Sequence, residues 1–171
     1  DNNGCTSLYS PVIIGEPLDV SIELSTLSDY NGMDVSCYES SDGIILANIG
    51  GGSGLYTIEW FDAESNDLQS NMTSGFDTLS LLSSGNYTAV VTDSRGCVDS
   101  ANILIDGPDS ISVTFEDVIN IRCEGSSNGE ATAIFSGGIG FGNYSLVWTD
   151  SQNNIISLSA NASNLSIGDY N

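Results

Sequence analysis

Tyr56-Thr57-Ile58-Glu59-Trp60-Phe61-Asp62 alternates apolar and polar side chains, and it returns 88 residues later as Tyr144-Ser145-Leu146-Val147-Trp148-Thr149-Asp150. A period of two is the pattern of a strand with one face buried. Its return makes the chain a repeat, and the copies extend outward on both sides. Upstream, Val35-Ser36-Cys37-Tyr38-Glu39-Ser40-Ser41-Asp42-Gly43 matches Ile121-Arg122-Cys123-Glu124-Gly125-Ser126-Ser127-Asn128-Gly129 at an offset of 86. Gly51-Gly52 matches Gly137-Gly138 at the same offset, and two extra residues then enter the second copy within residues 139–143. Downstream, Leu82-Ser83-Ser84-Gly85-Asn86-Tyr87 matches Leu165-Ser166-Ile167-Gly168-Asp169-Tyr170.

A third copy shows by its tail: Asp1-Asn2-Asn3-Gly4-Cys5 corresponds to Asp93-Ser94-Arg95-Gly96-Cys97, and Gly15-Glu16-Pro17 to Gly107-Pro108. The expected organisation is the last strand of a preceding module over 1–17, a complete module over 18–108, and an incomplete one over 109–171. The chain reads as a fragment that stops inside what should be a strand. Within a module, 44–49, 56–60, 87–92 and 101–105 are β-rich runs; 131–135 matches 44–49 in the next copy, and 101–105 and 111–115 alternate on either side of residues 106–108. Asp106-Gly107-Pro108 reads as a boundary turn, and no stretch holds a 3.6-residue period for three turns. About seven short strands in about 90 residues predict an all-β fold of tandem immunoglobulin-like β-sandwich modules arranged end to end. Trp60 and Trp148 then sit on the third strand, facing the opposite sheet. Tyr87 and Tyr170 follow the turn into the sixth strand, as in a tyrosine corner. All four are expected to be core aromatics rather than a carbohydrate-stacking platform.

Charge narrows the function. The 171 residues hold 2 Lys+Arg, Arg95 and Arg122, against 23 Asp+Glu and no His, a formal net charge of −21. A polyanion without lysine lacks the groups that neutralise phosphate, which excludes nucleic acid and anionic lipid as partners. Without histidine, the commonest general acid–base of neutral pH is absent. Apolar runs such as Ile44-Ile45-Leu46 are far below the ~18 residues of a membrane span. Yet 40% of residues are hydrophobic, enough to build a core.

Cys37, Asp42-Gly43, Gly51-Gly52, Tyr56, Trp60, Leu82, Gly85, Tyr87, Asp93, Gly96-Cys97 and Pro108 together resemble the SprB-type repeat of Bacteroidota gliding and cell-surface adhesins. The resemblance covers essentially the whole chain. It implies a structural stalk segment of a large secreted protein on the extracellular cell surface, exported by type IX secretion and serving gliding motility or surface attachment. The implied partners are neighbouring modules of the same chain, the secretion and motility machinery through other parts of the parent, and glycans. The alternative is a Ca²⁺-dependent or carbohydrate-binding accessory module of a secreted protein, told apart by its response to EDTA and Ca²⁺.

Four cysteines, Cys5, Cys37, Cys97 and Cys123, are disulfide candidates in an exported chain. Pairing within a module, pairing between successive modules and free thiols all remain open. Strand order disfavours Cys37 with Cys97, because those turns lie at opposite ends of a sandwich and a disulfide needs Cα atoms within about 7 Å. Candidate Ca²⁺ carboxylates are Asp93 with Asp99, and Asp106 with Asp109, Glu116 and Asp117, but no Asp-x-Asp-x-Asp-Gly loop occurs. No cofactor is expected. Ser nucleophiles have no base and no Gly-x-Ser-x-Gly elbow, so the chain is not expected to be an enzyme. Resemblance to Bacteroidota exported proteins makes Thr78, Ser100 and Ser110 O-glycosylation candidates, each following an Asp and preceding a small or aliphatic residue.

Overall fold

The computed structural model describes Asn2, residues 10–139 and residues 144–171. Among them there are strands and no helix. In the first repeat the alternating runs become β1 (Ser21–Thr26), β2 (Gly43–Gly50), β3 (Tyr56–Phe61), β4 (Asp67–Thr73), β5 (Phe76–Leu82), β6 (Gly85–Asp93) and β7 (Val98–Ile105). They form a three-stranded sheet β1-β2-β5 and a four-stranded sheet β4-β3-β6-β7. Three strands over four, with the third and sixth antiparallel at the centre of the larger sheet, is an immunoglobulin-like sandwich.

Period two decides what enters the core. β3 buries Tyr56, Ile58 and Trp60 while Thr57 and Glu59 face out, and β6 buries Tyr87, Ala89, Val91 and Asp93. β2 contributes Gly43, Ile45 and Ala47 from the other sheet. Trp60, Ile45, Ile58, Ile105, Val35 and Val91 are almost completely enclosed. Each such aliphatic side chain contributes roughly 1.5–3 kcal/mol by leaving water.

Two strands run longer than their apolar patterns. β7 begins at Val98 rather than 101 because polar Asp99 has a task there: its carboxylate accepts the Ile22 amide at 3.0 Å, closing part of the β1 edge. The run at 111–115 extends to Ile119 through a bulge where Asp117 takes φ 51°.

The second repeat holds β8 (Ser112–Ile119), β9 (Gly129–Ser136), β10 (Trp148–Thr149), β11 (Ile155–Ser157) and β12 (Asn161–Leu165). β12-β9-β8 form one sheet and β10-β11 the start of the other, the plan of the first five strands of the first repeat. Its core is small: Ala131, Ala133, Trp148, Ala162 and Leu165, with Leu146 and Tyr170 packed against it. Phe115 lies 5.4 Å from Trp148, centroid to centroid, at 43°.

Candidate functional site

Three hydrogen-bonded turns recur in both repeats. In the first, Asp62 clips the β3–β4 turn: its Oδ1 accepts the Glu64 and Asn66 amides, and its Oδ2 accepts Asn66 Nδ2 at 2.8 Å. Asp150 does the same with the Gln152 and Asn154 amides and Asn154 Nδ2 at 2.8 Å. Ser65 and Asn153 take matching positive φ values of 66° and 64°. In each case the asparagine side chain leads the bonds that hold the carboxyl below its ordinary range. The spacing Asp-x-Glu/Gln-x-Asn is visible in the sequence at 62–66 and 150–154, and read as a hairpin clip it would have extended the repeat.

The second turn surrounds the cysteines. The Ser40 amide donates to the Cys37 carbonyl and the Ser126 amide to the Cys123 carbonyl, both at 3.1 Å. The third residue of this turn has φ > 0, at Glu39 and Gly125. Beside it, the Ser36 hydroxyl and amide hold the Asp42 carboxyl low.

The third is the Gly-Gly loop. The Gly52 amide donates to the Leu18 carbonyl and the Gly138 amide to the Asp109 carbonyl, each at 2.8 Å. Tyr56 and Tyr144 donate their hydroxyls to the Gly51 and Gly137 carbonyls. A Cβ on Gly51 would lie 1.8 Å from the Asp19 carbonyl oxygen, and one on Gly137 would lie 2.1 Å from that of Ser110. Both glycines are therefore required sterically, and both have φ > 0. In the first repeat Asp93 ties this loop to the β6–β7 turn. Its Oδ1 accepts the Arg95 and Cys97 amides, and its Oδ2 accepts the Ser53 amide and hydroxyl. The Cys97 amide is the main cause of its lowered pKa, against the opposing effect of burial.

Cys5 lies outside the described residues, while Cys37, Cys97 and Cys123 are exposed thiols on separate turns. Thr78, Ser100 and Ser110 are all exposed. Asp77, which precedes Thr78, accepts Trp60 Nε1 at 2.9 Å and the Gln69 and Asn71 side-chain amides. Trp60, Trp148 and Tyr87 are buried. Tyr170 is half-buried, and its hydroxyl donates to the Ser166 carbonyl at 3.0 Å, a tyrosine-corner bond.

Of the carboxylates singled out for Ca²⁺, Asp93 and Asp99 are taken up by main-chain amides, and Asp106 accepts the amide of Gly107. Among the described residues no three potential metal ligands converge, and no helix is long and apolar enough to cross a membrane. A concavity of about 640 Å³ runs along the second repeat, lined by Phe115, Val118, Ile119, Trp148, Leu165 and Ile167.

The SprB repeat family model matches this chain twice, over residues 30–64 and 116–153. Each match contains a cysteine turn, a Gly-Gly loop, the Tyr-x-x-x-Trp strand and the aspartate that clips the following turn. No curated protein matches. Among solved structures, the three N-terminal domains of the bacteriophage RB49 highly immunogenic outer capsid protein (Hoc) are similar at a TM-score of 0.41 and 14% identity, over 90% of this chain. This chain spans about half of that one, 52%.

Proposed function

We propose, from two SprB repeats in one chain, that this protein is a stretch of a stalk: a surface-adhesin repeat region whose task is reach and mechanical resistance rather than chemistry. The SprB repeat is a repeat of cell-surface proteins. The observation that carries the stalk reading is the same set of hydrogen-bonded turns built twice, at Asp62 and Asp150, Cys37 and Cys123, Gly51 and Gly137. Repetition of one structural unit along a chain is the plan of an extended, quasi-one-dimensional array. The junction residue Asp106 is tied to Asp34 by two bonds, at 2.9 and 2.8 Å, and Gly107 lies against Val35. A net charge of −21 keeps parallel stalks apart. Gliding or surface attachment is the setting this reading favours, with secretion to the cell exterior.

The cysteines fit bridges between successive modules. Cys37 follows the Asp34–Asp106 tie, and Cys97 opens the other end of β7, about 26 Å along an eight-residue strand. Non-reducing peptide mapping of a longer chain with further modules reads the pairing directly. Exposed Thr78, Ser100 and Ser110 are accessible to O-glycosylation, which intact-mass measurement of the exported protein reads.

Pulling the chain in a force spectrometer tests the stalk. A module of about 90 residues releases roughly 300 Å of contour in one step when its sandwich ruptures. Gradual extension without such a step overturns the mechanical reading. A thermal midpoint that moves by many degrees between EDTA and Ca²⁺ transfers the protein to the ligand-binding alternative.

A further inference from the structure

The first repeat carries a turn that the second replaces by strand. Between β1 and the cysteine turn, Tyr30-Asn31-Gly32-Met33 folds back on itself. The Tyr30 amide donates to the Met33 carbonyl at 2.7 Å and the Met33 amide to the Tyr30 carbonyl at 3.4 Å. Asn31 and Gly32 take φ of 59° and 88°, both positive as a type I′ turn requires. In the second repeat β8 runs on to Ile119, the residue that matches Met33 at the offset of 86. Both residues at the tip are exposed, and a Cβ on Gly32 would meet no atom within 4 Å.

Asparagine followed by glycine is a pair able to react with itself, because the nitrogen of a residue without a side chain approaches the asparagine amide carbon unhindered. The Gly32 nitrogen bonds to Asn31 Cγ and gives its proton to water, the side-chain nitrogen leaves as ammonia, and a cyclic imide remains. Water then opens the ring. Cleavage of the new N–Cγ bond leaves an aspartyl residue. Cleavage of the bond to the main-chain carbon leaves an isoaspartyl residue, whose backbone runs through Cβ and Cγ. Water is the only co-reactant. In the folded chain this nitrogen is latched, since the Gly32 amide donates to Asp29 Oδ1 at 2.7 Å. A carboxylate in that place holds the proton on the nitrogen and repels the amide anion that would attack.

We infer that Asn31-Gly32 is a self-modification site, selected by its turn and restrained by Asp29, at which the first repeat deamidates in water. Asn128-Gly129 is the same pair in a different setting. Gly129 is buried in β9 and paired with Leu165, and a Cβ there would lie 3.0 Å from the Leu165 carbonyl and 3.4 Å from that of Ile119. The imide needs the backbone to rotate out of that strand, so Asn128 is protected while the sheet holds. At Asn31 only a turn has to open. Asn3-Gly4 lies outside the described residues. The isoaspartyl product lengthens the backbone by one carbon, so Tyr30 and Met33 cannot keep both of their bonds. Asp34, the next residue, holds Asp106 through two bonds, and Val35 is almost wholly buried. The change at the turn is therefore delivered to the exit of the repeat. This site does not depend on the stalk reading.

The test incubates the full chain, folded and in urea, in warm, mildly alkaline buffer and maps its peptides for amide-to-acid conversion and isoaspartyl linkage. In the folded chain Asn31 is expected to convert several-fold faster than Asn128, whereas in urea the two rates converge. Equal rates in the folded chain, or conversion of Asn128 first, overturn the assignment. Asp29→Ala should speed Asn31 several-fold and leave Asn128 unchanged, so that Asn128 reports within the same molecule that the fold survives. An unaltered rate at Asn31 sinks the latch, and acceleration at both sites would mean that Asp29 holds the fold rather than the turn. Hydrogen exchange of the aged chain should rise over residues 30–36 and 104–107, and Asn31→Gln should prevent that rise. The same rise in Asn31→Gln would assign it to other chemistry and count against the site.

Discussion

The first repeat places Ile45 where the second has Ala131, and Ile49 where the second has Phe135, yet both keep an aspartate–asparagine clip after the tryptophan strand. The second repeat instead brings aromatic rings together. Phe115 packs on Trp148, and Phe135 meets Tyr144 edge-on at 4.5 Å. The tryptophan nitrogens differ too: Trp60 donates to the Asp77 carboxylate, Trp148 to the Ser159 carbonyl. Cores ask mainly for volume and tolerate exchange among apolar side chains. Turns ask for particular atoms in particular places, so these are what the two copies share.

The largest effect expected from breaking this likeness lies at the glycines that no side chain can replace. Gly51→Ala should cost the first repeat about 3 kcal/mol or more, because the new Cβ meets the Asp19 carbonyl and φ is 69°. Gly137→Ala should do the same to the second repeat, against the Ser110 carbonyl. Hydrogen exchange followed by peptide mass reads each loss separately. Protection retained in the mutated repeat would mean the loop can move aside.

Next come the two tryptophan partners. Asp77→Ala removes the carboxylate acceptor of the buried Trp60 Nε1 and should cost about 2 kcal/mol in urea unfolding. Ser159→Ala leaves the main-chain acceptor of Trp148 in place and should stay within about 0.5 kcal/mol. Similar losses at both sites would contradict this difference.

Acid should act on the turns of both repeats. Asp42, Asp62, Asp93 and Asp150 all have lowered pKa values, each led by a hydrogen bond to the ionised carboxylate. Their contribution is complete above the unfolded aspartate value of about 3.9 and disappears as pH falls through the folded values. The decline should therefore begin only below about pH 4. Asp93→Asn should lower stability at pH 7 and flatten that decline in melting experiments. An unchanged acid limb would remove Asp93 from the explanation.

The smallest effects are gains. Leu81 and Asn164 are equivalent positions with φ of 63° and 58°, and Glu39 and Gly125 share the cysteine turn with φ of 60° and 76°. Asparagine and glycine adopt this region readily, whereas leucine and glutamate resist it. Copying the second repeat into the first, by Leu81→Asn or Glu39→Gly, should stabilise by about 0.5–1 kcal/mol each. Asn164→Leu should lose a similar amount. Denaturant midpoints check all three, and a loss from Leu81→Asn would show that the exposed leucine makes contacts that outweigh its backbone cost.

Much of this fold is legible in the order of its residues. Alternation in Tyr56-Thr57-Ile58-Glu59-Trp60 determined a strand with its aromatic ends inward, and the return of that stretch determined a repeat, because side-chain period and strand geometry are both local properties. The charge count sets an expectation against polyanionic partners, by Coulomb repulsion alone. The cysteine turns and the Gly-Gly loops were visible as matching letters, but not the reason for them. That Gly51 must lack a side chain depends on the Asp19 carbonyl, 32 residues away in sequence. That Asp77 serves Trp60, and Asp99 the edge of β1, depends on which strands lie side by side. The concavity of the second repeat likewise appears only when Phe115, Trp148 and Leu165 are brought together. Periodicity and charge are written residue by residue. Contacts between distant residues exist only once the sheets have closed on one another.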